Sequence, residues 1–193
     1  MILLKKILFP IFSIFLCYRT IELMNHLIES DVKQINTLEA LVISFLLTLF
    51  STGIFAFLGF AFKTNKILPE AYYIVKNEAL LRQIYKRMGV NHFRKLLLFA
   101  FWGRKKNKTK YFDGKRSGIE NLIFQSKKSE FGHSAAFFLI LLLAIILLFL
   151  GYWQLFVYMN SINILGNLYP VILQRMHRLR INQLLSDNDS IKL

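Results

Sequence analysis

SAAFFLILLLAIILLFLGYWQLFVYMNSINILGNLYPVIL, residues 134–173, decides the fold, because its 40 positions carry no acidic or basic side chain. A helix rises about 1.5 Å per residue, so roughly 20 apolar residues cross a bilayer core. The run is long enough for two spans and too long for one. Gly151-Tyr152-Trp153-Gln154 supplies the hairpin between them, with aromatics suited to a membrane interface. The pattern therefore places spans at Ser134–Leu150 and Leu155–Leu173.

Working back along the chain, Ala40–Phe62 is free of charge across 23 positions and gives a span over Leu38–Phe62. Gly53 and Gly59 within it permit close helix contacts. At the N-terminus, Lys5 and Lys6 precede the apolar run Ile7–Tyr18, the outline of a signal peptide. No small-x-small cleavage site follows, so the segment reads as an uncleaved helix over Leu4–Leu27. The expected fold is an all-α integral membrane protein, a single domain of four transmembrane helices.

The formal net charge is +14, which raises the question of nucleic acid. Between Lys63 and His133, however, 17 Lys and Arg stand against 5 Asp and Glu, so nearly all the excess lies in one loop. Positive loops beside spans mark the cytoplasmic side. Membrane orientation explains the charge, and a nucleic-acid partner is not called for. With loop 63–133 inside the cell membrane, four spans put both termini in the cytoplasm as well. Cys17, the single cysteine, lies in an apolar helix and reads as packing.

The basic loop is patterned. Pro69 ends the preceding helix, and Asn77 caps an amphipathic helix with Leu80, Leu81, Ile84, Tyr85 and Met88 on one face and Arg82, Lys86 and Arg87 opposite. Gly89 stops it. Val90–Trp102 is apolar but too short to span, which makes it interfacial or re-entrant. Arg104, Lys105, Lys106, Lys108 and Lys110 fit the phosphates of an acyl-coenzyme A, an acidic acyl carrier protein, or anionic lipid at about 1 kcal/mol per charge. Composition alone favours the lipid. Asp113-Gly114 is a turn, and Ser117 with Glu120 forms a capping box that opens the next helix.

Glu130 and His133 are the candidates for acid–base chemistry. At i and i+3 they share a helix face, at the point where the loop meets the third span. A histidine titrates near working pH, and a carboxylate can orient it. The alternative is an interfacial histidine, with Glu130 paired to Lys127 or Lys128. Asn160, Asn163 and Asn167, at i, i+3 and i+7, line one face of the fourth span with amides. Arg175, Arg178 and Arg180 suit a carboxylate or phosphate in forked geometry, or simply mark the inner end of that span. A single Glu-x-x-His is too little for a di-iron site, so neither metal nor other cofactor is expected.

Three blocks together resemble the bacterial glycosyl-diaponeurosporenoate acyltransferases, which acylate the glucose of the carotenoid staphyloxanthin. The first is Leu68-Pro69-Glu70-Ala71-Tyr72-Tyr73 with Tyr85 and Gly89-Val90-Asn91-His92-Phe93-Arg94-Lys95. The second is Glu120 with Ser129-Glu130-x-x-His133. The third is Asn167-x-Tyr169-Pro170-x-x-x-Gln174-Arg175-x-x-Arg178-x-Arg180, with Met176 and His177 standing where the family has Tyr and Asn. The resemblance spans roughly Leu68–Leu185. It implies transfer of a fatty acyl group from an acyl-coenzyme A or acyl carrier protein to a sugar hydroxyl of a membrane glycolipid. On that reading His133 is the base and Glu130 its orienting carboxylate. Asn167 and Gln174 orient the substrates, and Arg175, Arg178 and Arg180 bind the donor. The competing class is a non-enzymatic scaffold that holds its polybasic loop on anionic lipid.

Overall fold

The computed structural model describes residues 2–32, 35–102 and 118–190, and every described element is helical. Four helices are long and apolar enough to cross a membrane: Leu4–Glu29, Thr37–Ala61, Ile119–Phe149 and Trp153–Gln183. The all-α membrane fold expected from hydropathy is therefore what the chain adopts. By its contacts the chain divides into two compact units, residues 1–64 with 132–168, and residues 65–131 with 169–193.

The first unit holds α1 (Ile2–Glu29), α2 (Thr37–Ala61), the part of α6 (Ile119–Phe149) that follows Gly132, α7 (Trp153–Asn163) and a π-helical turn at Ile164–Leu168. Leu27, Leu47, Ile140, Leu147, Leu155 and Met159 are its largest fully buried apolar side chains, with Ala40, Ala136 and Ala144 between them. Large apolar side chains such as Ile14, Phe15, Phe45 and Phe138 point outward, as lipid-facing residues do. Small residues set the approach of α1 and α2. A Cβ on Gly53 would stand 2.5 Å from Leu16 Cδ1, and Ser13 Oγ donates to the Ile54 carbonyl at 3.0 Å. Asn36 and Glu39 close a capping box at the start of α2. The hairpin turns at Gly151, whose φ of 91° favours glycine, and the buried Tyr152 hydroxyl donates to the Leu27 carbonyl at 2.7 Å. Arg19 and Glu22 pair on the exposed side of α1.

The second unit holds α3 (Glu70–Tyr73), α4 (Glu78–Arg87), α5 (Val90–Leu97) with a π turn at Leu98–Trp102, the first part of α6, and α8 (Tyr169–Ser190). Asn77 caps α4 through Leu80 N–H at 2.9 Å, and Gly89, with φ 64°, separates α4 from α5. Leu81 and Tyr85 turn inward from α4 while Leu80 is exposed. Phe99 is 91% exposed and Leu96 61%, the open apolar face expected of an interfacial segment. The Tyr169 hydroxyl donates to the Met88 carbonyl at 2.7 Å, which ties α8 to the end of α4.

Two helices run past the ends that charge had set for them. α6 begins at Ile119, where the Ser117–Glu120 pattern opens a helix, and runs unbroken past the expected span start at Ser134, because Lys127, Lys128 and Glu130 interrupt the apolar run without interrupting the helix. α8 continues to Ser190, beyond the expected Leu173. The cation cluster 104–110, the Asp113-Gly114 turn and the Ser117 half of the capping box lie outside the described residues. Glu120 stands exposed in the first turn of α6, a favourable place for an anion.

Candidate active site

In the first unit, His133 is held by amides. Its Nδ1 lies 2.9 Å from Asn167 Oδ1. Asn167 Nδ2 donates to Asn163 Oδ1 at 3.0 Å, and Asn163 Nδ2 donates to the Phe137 carbonyl at 3.0 Å. Thr52 Oγ1 also accepts from Asn167 Nδ2, at 3.0 Å. The direction of this chain is fixed from its far end. A backbone carbonyl can only accept, so Asn163 must turn its NH₂ to Phe137 and its oxygen to Asn167. Asn167 then presents its own oxygen to the imidazole, and Nδ1 must carry the proton. The Nε2 lone pair is what remains of the ring's hydrogen-bonding capacity as a base.

The backbone supplies a second contact. Pro170 has no N–H to offer the Gly166 carbonyl four residues earlier, and that carbonyl, which can only accept, shares the single N–H of the neutral His133 ring with Asn167. The π turn at Ile164–Leu168 just before it widens the helix where Asn163 and Asn167 bond to each other. Asn167 and Asn163 are both fully buried. Asn160, the third amide of the stripe, turns onto the Phe156 carbonyl of its own helix at 2.8 Å.

In the second unit, Glu130 is fully buried and both of its oxygens are taken by arginines. Arg175 Nε donates to Oε1 at 2.7 Å, and Arg178 pairs with Oε2. Arg178, also buried, donates to Ser126 Oγ at 2.8 Å, and Ser126 Oγ donates in turn to the Gln174 carbonyl at 3.3 Å. The Gln174 side chain donates to Ser129 Oγ at 3.4 Å. Aromatic faces complete the setting, with the Arg175 guanidinium 5.0 Å from the Tyr72 ring and that of Arg178 5.6 Å from the Tyr73 ring. Burial, with the Glu130 carboxylate adding to it, pushes the Tyr73 phenol up to about 12. Lys127 pairs with Glu70 rather than with Glu130.

The structure thus gives Glu130 and His133 different partners. The i, i+3 spacing pointed to a carboxylate on the imidazole; an amide occupies that position, and the carboxylate neutralises two arginines. Asn167 is likewise committed at both ends of its amide, which leaves it to position His133 rather than to touch substrate. Arg180 stands apart from the Glu130 cluster, 5.7 Å from the Tyr85 ring. Ser126 and Thr52 had no signal in the sequence, since nothing local distinguishes a hydroxyl that bonds a distant arginine or amide from one that faces lipid. Among the described residues no group of three His, Cys, Asp or Glu is placed to hold a metal ion.

The glycosyl-4,4'-diaponeurosporenoate acyltransferase (CrtO) family model matches residues 69–187. The chain belongs to this family. The matched region begins at the proline that precedes α3 and takes in Glu130, His133, both buried asparagines and the arginines of α8, so every element of the two networks except Thr52 lies in the part that defines the family. No curated protein and no solved structure matches the chain. The helices α1 and α2 lie outside the match, and from α2 Thr52 reaches the His133 network.

Proposed function

We propose that the protein is a membrane acyltransferase that esterifies a sugar hydroxyl of a glycosylated lipid, a carotenoid glycoside or similar glycolipid, with a fatty acyl group from a thioester donor. The family match over residues 69–187 carries this reading. His133 acts as general base. Its Nε2 takes the proton of the sugar hydroxyl as the oxygen attacks the thioester carbonyl. The tetrahedral intermediate collapses with loss of the thiolate, which recovers the proton from the imidazolium. One C–O bond forms and one C–S bond breaks, and no covalent enzyme intermediate is needed. Asn167 holds the ring and fixes its tautomer, with Asn163 fixing Asn167. Glu130 keeps Arg175 and Arg178 in place on α8. The donor is an acyl-coenzyme A or acyl carrier protein reached from the cytoplasm, where the charge pattern puts the loop 63–133 and both termini in the cell membrane. Anionic lipid is the further partner of that basic surface.

The test uses membranes that contain the protein, a labelled acyl donor and lipid extract. Mass spectrometry of extracts with and without the gene should show an acyl-sized mass difference on a glycolipid. His133→Ala should lower turnover by about 10²–10⁴-fold, the usual contribution of a positioned base. Full turnover in His133→Ala would remove the mechanism, and an unchanged lipid profile would remove the function.

A further inference from the structure

The second unit carries a group of basic and hydroxyl side chains of which the acyl-transfer reading uses only Arg180. Arg94 comes from α5, within the Asn91-His92-Phe93-Arg94-Lys95 stretch, and its Nε is buried with no hydrogen-bond partner. Tyr85, on α4, is only 7% exposed, and its hydroxyl is also buried without a partner. The Arg180 guanidinium lies 5.7 Å from the Tyr85 ring. His177, one turn before Arg180 on α8, stands close enough to Arg94, Arg178 and Arg180 to feel all three charges. Among the described residues the ion pairs of this unit run from Glu78, Glu70 and Glu130 to Arg82, Lys127, Arg175 and Arg178, so no carboxylate reaches Arg94, His177 or Arg180.

This arrangement is unfavourable as it stands. Buried N–H and O–H donors without acceptors each forfeit a hydrogen bond, and gathered cations repel one another. Arg178 escapes the repulsion, because Glu130 neutralises it, although its Nε is also buried without a partner. One anion rich in acceptor oxygens relieves both penalties. A carboxylate brings two oxygens on one edge, whereas two guanidinium groups, an imidazole and a phenol match the several acceptor oxygens of a phosphate.

We propose that Tyr85, Arg94, His177 and Arg180 form a binding site for a phosphate ester. The site deepens the acyl-transfer reading and rests on it for purpose, since the thioester carriers are themselves phosphate esters. A phospholipid headgroup offers the same chemistry, and the two sources separate by experiment.

The experiment uses the full chain in phosphatidylcholine nanodiscs, titrated with coenzyme A and with inorganic phosphate as competitor. Coenzyme A should bind and be displaced by phosphate. Arg94→Gln and Arg180→Gln should each weaken binding by about tenfold to a hundredfold, the range for one charge-assisted contact. Tyr85→Phe removes a single hydroxyl, keeps the ring in its packing, and should weaken binding about tenfold or less. Should coenzyme A fail to bind while phosphatidylglycerol retained from mixed nanodiscs falls in Arg94→Gln and Arg180→Gln, the phosphate belongs to a headgroup and the site stands. Binding of both ligands unaltered in both arginine variants, or absent from the unaltered chain, overturns it. Because no turnover is read, His133→Ala should bind coenzyme A like the unaltered chain, and a failure of the acyl-transfer reading would leave these measurements intact.

Discussion

Replacing Glu130 by Gln tests whether that carboxylate serves structure or chemistry. The side chain is 0% exposed and holds two guanidinium groups, Arg175 Nε at 2.7 Å and the buried Arg178. A glutamine of nearly the same volume keeps the packing but removes the charge. Arg175 and Arg178 then compete for one neutral amide oxygen, and the buried Arg178 keeps Ser126 and the Tyr73 carbonyl, the latter at 3.5 Å, with no counter-charge. Breaking one side of a buried pair costs about 3–5 kcal/mol, because the remaining ion is uncompensated. Glu22→Gln on α1 offers the contrast. Its partner Arg19 is 40% exposed, so loss of that pair should stay below about 1 kcal/mol.

The assay is reversible unfolding of the purified protein in mixed detergent micelles, followed by helical circular dichroism. Glu130→Gln should shift the midpoint strongly and Glu22→Gln barely. Adding Arg178→Gln to Glu130→Gln should recover part of the loss, since two neutral partners can bond where a lone ion cannot. Turnover per folded molecule should fall far less in Glu130→Gln than in His133→Ala. A Glu130→Gln protein of native stability with its turnover gone would refute this reasoning and return the carboxylate to the chemistry.

Three further outcomes follow from the geometry. Asn167→Ala should lower kcat and kcat/KM together while the donor KM stays unchanged, because it frees the imidazole without touching bound substrate; a KM effect alone, in initial-rate kinetics, would place Asn167 on the substrate instead. Gly53→Leu should destabilise the α1–α2 pair by about 1–3 kcal/mol, since its Cβ meets Leu16 Cδ1 at 2.5 Å, and Leu16→Ala should restore much of it in the same unfolding assay. The Tyr73 phenol holds its proton more tightly in the folded protein, so its contribution is complete below pH 10 and declines as pH rises through 10 toward 12. Alkaline unfolding should therefore flatten in Tyr73→Phe, and identical profiles would show that the phenol has no part in it.

Hydropathy made the four membrane helices legible, because a span must be apolar over its whole length regardless of what it packs against. The hairpin at Gly151 was legible for a related reason, since nothing else in the 40-residue run can turn. Helix ends were not. Charge marks where a helix leaves lipid rather than where it stops, and α6 carries Lys127, Lys128 and Glu130 through without a break. The site was legible as a set of residues but not as a set of pairs. Glu130 meets Arg175 and Arg178 at separations of 45 and 48 residues, and no local spacing encodes those contacts. The same limit hid the amide on His133, 34 residues away.

Why an amide holds the imidazole follows from where the ring sits. A carboxylate beside His133 would be a lone charge whenever the ring is neutral, and in an apolar bundle a lone ion is expensive to bury. Asparagine orients the ring at no net charge, provided its own NH₂ is satisfied. That condition propagates: Asn167 needs Asn163, and Asn163 needs a carbonyl, which Phe137 provides. Pro170 serves the same end, since it leaves the Gly166 carbonyl without its helical N–H and so in need of another donor. The amide series from Asn167 through Asn163 thus ends on a backbone carbonyl. The charges sit elsewhere, on Glu130, Arg175 and Arg178, where two arginines to one carboxylate leave a surplus positive charge on α8. The polar groups of the first unit's His133 network are thus uncharged apart from whatever proton the imidazole carries, while the second unit concentrates cations around one buried carboxylate.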